Sequence, residues 1–574
     1  MHPRTRCHGP SLALAFALAL VVAASLPAAQ VAGYGRDGTR IYPDCTPPTK
    51  WTEKDVAWEA PLPWATGSPI VVGGKLLAMC EPAPGWDFPL LVCLDAATGK
   101  ELWRREVDHL AATGLPPPEQ ERVRATWHAW LEDFYGRQRM RHRYLSATDE
   151  AAKEALRKEA KTRNWEIRKT RGGLVPSTDP RFGADMFKCM RGLKELKPIA
   201  GLVANVSQHG TSTPNAVGLA YGTPVSDGSA VYVHTAFGSV ASYDLDGKLR
   251  WMAWAPRPGG CEGCNAGRSP IVWQARSGGP TLVLSDIMDG LVALDAATGE
   301  IRWKAEVKHH SIVTPMVMTV GGTDILLAAG VRAFRLPDGK ELKVEGYKEA
   351  GMQTLVKHDE PDVVFFCGSG EHCGWSGKGA GPPGSPAAVR FAPEGDTLKA
   401  TVLWHAGTVA KASGISYVKS FYGGNAPWML YDDGKFYHRA GFILDSLTGK
   451  VLVAGSLNLE RGKIAPRKRA VPGAVPRTRH LLCLAGGHVY GLTRARGKKG
   501  ESLRHAECDV FTADGKFIAT NPVPRMPPSP EQQEMFIAVA GRAEGSGFSV
   551  GNTFTFAGSR IYFRSYTSIV CIGK

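Results

Sequence analysis

Leu291 to Trp303 reads LVALDAATGEIRW, and Leu91 to Trp103 reads LVCLDAATGKELW. Each begins as an apolar strand, passes through Asp and then Thr-Gly, and resumes as a second strand ending in Trp. Apolar alternation on both sides of a Gly-containing turn predicts strand–turn–strand. The Asp carboxylate can accept turn amides, and the Gly can take a positive φ. The Trp offers a large flat surface to a neighbouring sheet. Weaker copies occur at Ser242–Trp251 (SYDLDGKLRW), Ala333–Leu342 (AFRLPDGKEL), Phe442–Val453 (FILDSLTGKVLV) and Asp509–Ala519 (DVFTADGKFIA). A matching pair of strands precedes most of them, as in Ser68–Met79, Thr223–Thr235 and Ser269–Ser285. Each unit therefore carries four short strands, the content of a propeller blade.

The run Ala-x-Asp-x-x-x-Gly-x-x-x-Trp resembles the tryptophan-docking repeat of the pyrroloquinoline-quinone (PQQ)-like propeller family. Ala293, Asp295, Gly299 and Trp303 match it in full; Asp95, Gly99 and Trp103 match it with Cys93 at the Ala position, and Trp251 ends a shorter copy. The resemblance covers roughly residues 49–103 and 216–574. It implies an all-β, PQQ-like β-propeller. Eight blades are expected, centred near residues 85, 236, 285, 326, 375, 436, 490 and 560, or seven given the irregularity of the fifth and seventh. Neither the WD dipeptide nor a kelch pattern recurs. The last blade runs out of chain at Lys574 before a fourth strand can form. The orphan segment VAWEA near the N-terminus is expected to supply it, with Trp58 in the docking place. An open seam would expose strand edges.

Four regions follow from the pattern: a signal peptide over 1–32, a closing strand and first blade over 33–103, an α-helical insertion over 104–215, and the remaining blades over 216–574. Arg4 and Arg6, the apolar run Ser11–Leu26 and the small residues after it read as a secretory signal. Sixteen apolar residues are short for a membrane span. The expected location is therefore secreted or periplasmic, with no span after signal cleavage. In the insertion, Trp127, Trp130, Leu131 and Phe134 fall on one helical face and read as a docking stripe.

Export permits disulfides. Cys261 with Cys264, and Cys367 with Cys373, are the closest pairs, with unpaired thiols as the alternative. The formal net charge is +15, and twelve Lys/Arg against Glu501 crowd into residues 461–504. That segment suits an anionic partner. Tyr490 is its only aromatic residue, which argues against specific nucleic-acid reading.

The resemblance to quinoprotein alcohol dehydrogenases implies PQQ on the propeller axis with calcium, a catalytic Asp and often a vicinal disulfide. No two cysteines are adjacent, and Asp286 and Asp289 read as turn residues. His209, His234, His309, His310, His372 and His438 lie in or near blade loops without a ligand spacing. No catalytic, metal or cofactor-binding residue is assigned. The favoured reading is an exported binding scaffold for a protein or cell-envelope component, without a cofactor. A PQQ- and calcium-dependent dehydrogenase is the alternative. The motif residues themselves are structural and name no activity.

Overall fold

A computed structural model describes residues 33–177 and 222–573, apart from segments between strands, the longest being 255–268, 307–314, 369–385, 410–428, 465–481 and 535–552. Eight four-stranded antiparallel units succeed one another along the chain, over 70–106, 225–254, 271–306, 316–345, 353–405, 430–453, 482–522 and 553–572. The eighth has three C-terminal strands and takes its fourth from the N-terminal segment. Val56–Pro61 pairs antiparallel with Ser568–Ile572, and Trp58 lies opposite Cys571.

Each unit packs on the next through a buried apolar layer. Leu77, Met79 and Leu91 of the first meet Val231, Val233 and Tyr243 of the second. Val283 and Leu294 of the third meet Tyr232 and Trp251. The series continues to Phe554, Phe556 and Phe563 of the eighth against Cys483, Tyr490 and Val510 of the seventh. Leu76, Ala78 and Val92 of the first then pack on Tyr562, Ile569 and Cys571 of the eighth, closing the cycle. The architecture is a closed β-propeller.

Five of these junctions share one device. Trp58, Trp103, Trp251, Trp303 and Trp404 each stand on the outermost strand of a blade and reach a turn of the next one. Their indole N–H groups donate to the carbonyls of Ala96, Leu245, Ala296, Leu336 and Ser446 at 3.3, 3.2, 3.0, 2.9 and 2.7 Å. Each ring lies flat against a glycine of that turn: Gly99, Gly247, Gly299, Gly339 or Gly449. At Gly299, φ is +75°, and a Cβ would stand 2.5 Å from Trp251. The turn is held by its aspartate. Asp295 Oδ1 accepts the amides of Ala297 and Thr298 at 2.9 and 3.0 Å, and Asp95 does the same for Ala97 and Thr98. Both carboxyls are held below the ordinary range, Asp295 chiefly by Arg302 and Asp95 chiefly by the Thr98 hydroxyl. The residue facing each Trp across its own sheet is small: Cys571, Cys93, Ser242, Ala293 or Ala388.

The fourth and fifth units join differently. Their outer strands pair in parallel, Lys343 to Glu345 against Thr397 to Lys399, making one eight-stranded sheet. The N-terminal segment also does more than close the ring. Ile41–Tyr42 pairs in parallel with Leu484–Ala485, adding a fifth strand to the inner edge of the seventh unit. Arg40 is fully buried at φ +62° and donates to the Met429 carbonyl of the sixth unit. Trp51 donates to the Pro522 carbonyl of the seventh at 2.7 Å and lies against Phe563 of the eighth.

Between the first and second units lie α1 (Pro117–Ser146) and α2 (Glu150–Thr162). Pro at the start of α1 suits a helix whose first N–H groups have no partner. Asp149 caps α2 by accepting the Ala152 amide at 2.7 Å. Of the docking stripe, Trp127, Leu131 and Phe134 are buried, whereas Trp130 is half-buried and stacks on Phe134. The insertion is not wholly helical. Glu166–Thr170 and Gly173–Ser177 form a hairpin, which the run of helix-forming residues before it does not announce.

Trp58→Ala should lower stability by about 3–5 kcal/mol, the usual cost of emptying a buried aromatic site. Gly99→Ala should also destabilise, because its φ is +75° and its Cβ would meet Trp58 at 2.5 Å. Chemical denaturation measures both, and a wild-type midpoint for Trp58→Ala would show that the ring closes without it. A second expectation concerns Asp509, whose carboxyl is pushed up to about 6 by burial, against a hydrogen bond from Thr520 at 2.6 Å. The native chain then keeps a proton that the unfolded chain releases above pH ~4. Stability should therefore fall as pH rises from about 4 through 6. Asp509→Asn should stabilise the protein at pH 7.5 by about 3 kcal/mol, a shift of about two pKa units at ~1.4 kcal/mol each, with little effect at pH 4. A gain of equal size at both pH values would contradict this origin.

Candidate functional site

The repeat residues read from the sequence lie at the seams between blades. Asp95, Gly99, Asp295 and Gly299 form the turns; Trp58, Trp103, Trp251 and Trp303 dock on turns; Ala293 faces Trp303 across one sheet. Of these, Asp95 also stands on the wall of a cavity with Arg36, Asp44 and Arg560. Trp404 belongs with the docking tryptophans, but the sequence hides it. Nine positions separate it from Gly395, against four between Gly299 and Trp303, because its hairpin is extended.

The two ends of the blades differ sharply. At one end, the connections between consecutive strands never exceed six residues; the longest is 275–280. Antiparallel order sends every blade-to-blade connection to the other end, from 346–352 up to 107–224. The long second-to-third-strand connections 81–89 and 369–386 also leave from there. Described strands thus flank, at this one end, the insertion, the Cys261/Cys264 and His309/His310 segments, and most of the basic stretch 461–504. His209, Cys261, Cys264, His309, His310, His372 and Cys373 lie outside the described residues.

The insertion covers part of this face. His128 of α1 meets Phe88 edge-on at 6.2 Å, Arg124 sits over the Phe88 ring, and Arg124 pairs with Asp108 at 3.0 Å. Near it, two second strands end in buried polar residues. Arg564 is wholly buried and directs Nη2 to Cys80 Sγ at 3.2 Å, while its Nε and Nη1 have no hydrogen-bond partner among the described residues. Glu81 is also wholly buried, its amide donating to the Trp64 carbonyl at 2.7 Å, and Trp64 lies against Tyr566 at 5.0 Å. Tyr135 of α1 completes the cluster. Burial, then the Glu81 charge, raises its hydroxyl well above the usual range.

A guanidinium beside a thiol favours the thiolate. Burial outweighs Arg564, however, and the Cys80 pKa ends above its ordinary value. Burial likewise pushes Cys93 and Cys571 up to about 12. At neutral pH these sulfurs are packing groups. Among the described residues, no three His, Cys, Asp or Glu side chains converge as a metal site. His234 is buried at the end of its strand, away from such a group.

Two cavities stand out. One of about 440 Å³ lies at the short-turn end, between the N-terminal segment and the first and eighth units, with Arg36, Asp44, Asp95, Arg560 and Tyr562 on its walls. It is close to charge-balanced, and Arg36 pairs with Asp44 at 3.2 Å. The other, of about 240 Å³, lies in the insertion, where Gly136, His142 and three arginines line it.

No protein-family model and no curated protein matches the chain. Among solved structures it is similar to BamB from Moraxella catarrhalis, at 11% identity over 61% of this chain and 80% of that one, with a TM-score of 0.33. It is similar to quinohemoprotein alcohol dehydrogenase from Comamonas testosteroni, at 12% identity over 95% and 80%, with a TM-score of 0.41. A europium-containing methanol dehydrogenase matches at 14% identity over 56% and 71%, with a TM-score of 0.29. At these identities the likeness concerns fold alone. The propeller described above rests on the chain's own sheets and registers. No described helix is long and apolar enough to cross a membrane.

Cys80, Cys93 and Cys571 should resist alkylation in the native protein at pH 8 and react fully after denaturation. Peptide mass mapping reads this directly. Rapid native labelling of Cys80 would mean that Arg564 dominates and that the sulfur is a usable nucleophile.

Proposed function

We propose that this protein is an exported, non-catalytic scaffold that binds a protein or cell-envelope component through the loop-bearing face of its propeller. The observation that carries this reading is the segregation of the two ends. The short-turn end docks blades, and five of its turn carbonyls are occupied by indole N–H groups. The long connections, the helical insertion and most of the basic stretch leave from the opposite face. Binding residues concentrate on loops held by a rigid frame. The excess of Lys/Arg in 461–504 favours an acidic partner through long-range attraction, strongest at low salt. The N-terminal apolar segment supports delivery to a secreted or periplasmic location.

A photo-crosslinking amino acid placed at Glu132 of α1 should give discrete adducts in the exporting host. The same group at Lys100 or Lys516, on short turns at the other end, should give none. Adducts from the short-turn positions, or none from Glu132, would sink the scaffold reading. Titration of the pure protein with PQQ and calcium tests the alternative. A bound-quinone absorbance band with substrate-dependent bleaching would establish a dehydrogenase instead.

A further inference from the structure

The smaller cavity lies where α1 ends and α2 returns. Arg139 and Arg143 come from the last turns of α1, and Glu159, Arg163 and Trp165 from α2 and the residues after it. Glu534 reaches in from the connection between the seventh and eighth units. Two of the arginines are already engaged with carboxylates: Arg143 grips Glu159 through both nitrogens, at 3.0 and 2.9 Å, and Arg139 meets Glu534 at 3.3 Å. Arg163 has no carboxylate partner among the described residues. Its guanidinium lies over the Trp165 ring at 5.1 Å, and Trp165 is itself fixed by a bond to Asp133 at 3.0 Å.

We propose that this cavity is a subsite for one carboxylate group of an acidic peptide segment on a partner protein, with Arg163 as its principal cation. This deepens the scaffold reading and rests on it only for the identity of the partner. Three guanidiniums against two carboxylates leave an excess of one positive charge, which one carboxylate neutralises; a phosphate dianion would overshoot. The volume of about 240 Å³ admits an acidic side chain and excludes a folded element or a stretch of polysaccharide. Its place over the Trp165 ring restrains the Arg163 guanidinium, so less side-chain freedom remains to be lost on binding. Glu534, which arrives from a distant part of the chain and is largely exposed, is an internal carboxylate competing for the same group of arginines.

The test is calorimetric titration of the full-length protein with a hexaglutamate peptide, with hexaglutamine and inorganic phosphate as separate arms. Hexaglutamate should bind and hexaglutamine should not. Arg163→Gln should weaken hexaglutamate at least tenfold, with Arg163→Lys intermediate. Glu534→Gln should strengthen binding at least threefold by removing the internal competitor, an effect that a folding defect cannot imitate. The proposal is overturned by unchanged affinity in Arg163→Gln, by no gain in Glu534→Gln, or by phosphate binding as tightly with the same dependence on Arg163. Hexaglutamate binding that follows this pattern, with no crosslink from Glu132 in cells, would leave the subsite standing and remove the scaffold reading.

Discussion

An indole laid flat on a glycine is the contact around which this molecule is organised. The glycine is required twice over at Gly99 and Gly299: the turn needs positive φ, and the ring occupies the space where a Cβ would stand. The aspartate four positions earlier ties the turn amides, so the carbonyl that follows it faces the indole N–H. Opposite the tryptophan only a small residue fits, which explains Ala293, and Cys93 and Cys571 in its place. One constraint therefore fixes four positions of the motif. Each blade supplies the ring and the next supplies the seat, so no blade buries its aromatic alone.

A ring built this way is weak where the tryptophan is missing. At the tryptophan position the fourth unit has Leu342 and the sixth has Val453, and the seventh has Phe517 exposed near that point. Each gap is bridged by something else. Pairing of the outer strands joins the fourth unit to the fifth. Between the sixth and seventh, the Tyr437 hydroxyl donates to the Ala513 carbonyl at 2.7 Å, and Arg40 with Ile41–Tyr42 spans the inner edge. Between the seventh and eighth, Trp51 crosses from the N-terminal segment. Three consecutive junctions, from the sixth unit round to the first, thus depend on residues 40–58. This segment joins neighbours that strand pairing within the repeats leaves unjoined.

The repeats were legible because their signal is local. Asp, Gly and Trp sit within one hairpin, and the orphan VAWEA shows its kinship with the strands after Gly99 and Gly299 by composition alone. What was hidden depends on contacts distant in sequence. Trp404 sits in a hairpin too long for the motif spacing. Trp51 and Arg40 belong to no repeat, and their partners lie more than 380 positions away. Arg564, Glu81 and Tyr135 meet only because two strands from opposite ends of the chain and one inserted helix converge. The only trace of the first two in the sequence is a polar residue closing an apolar strand, as in RIYFR and KLLAMCE. The insertion stripe identified a buried face, but not the arginine pocket on the other side of the helix pair, since solvated and pocket-lining arginines look alike in a sequence.

The division between the two faces follows from the docking contact itself. The Ala96 carbonyl receives the Trp58 indole, the Tyr562 hydroxyl at 3.1 Å and Arg560 at 2.9 Å, so three groups from the eighth unit fix the position of the turn that carries it. An added residue there would move Gly99 off its tryptophan and loosen a blade junction. At the opposite end no docking turn exists, and an inserted loop there costs only its own ordering, which grows slowly with length. The connection 107–224 shows how far this tolerance extends: helices, a hairpin and an arginine-lined cavity are added while the pairing of the first and second units stays intact. The rigidity of one face is thus the condition for variety on the other, where the connections carry surface that the fold itself does not need.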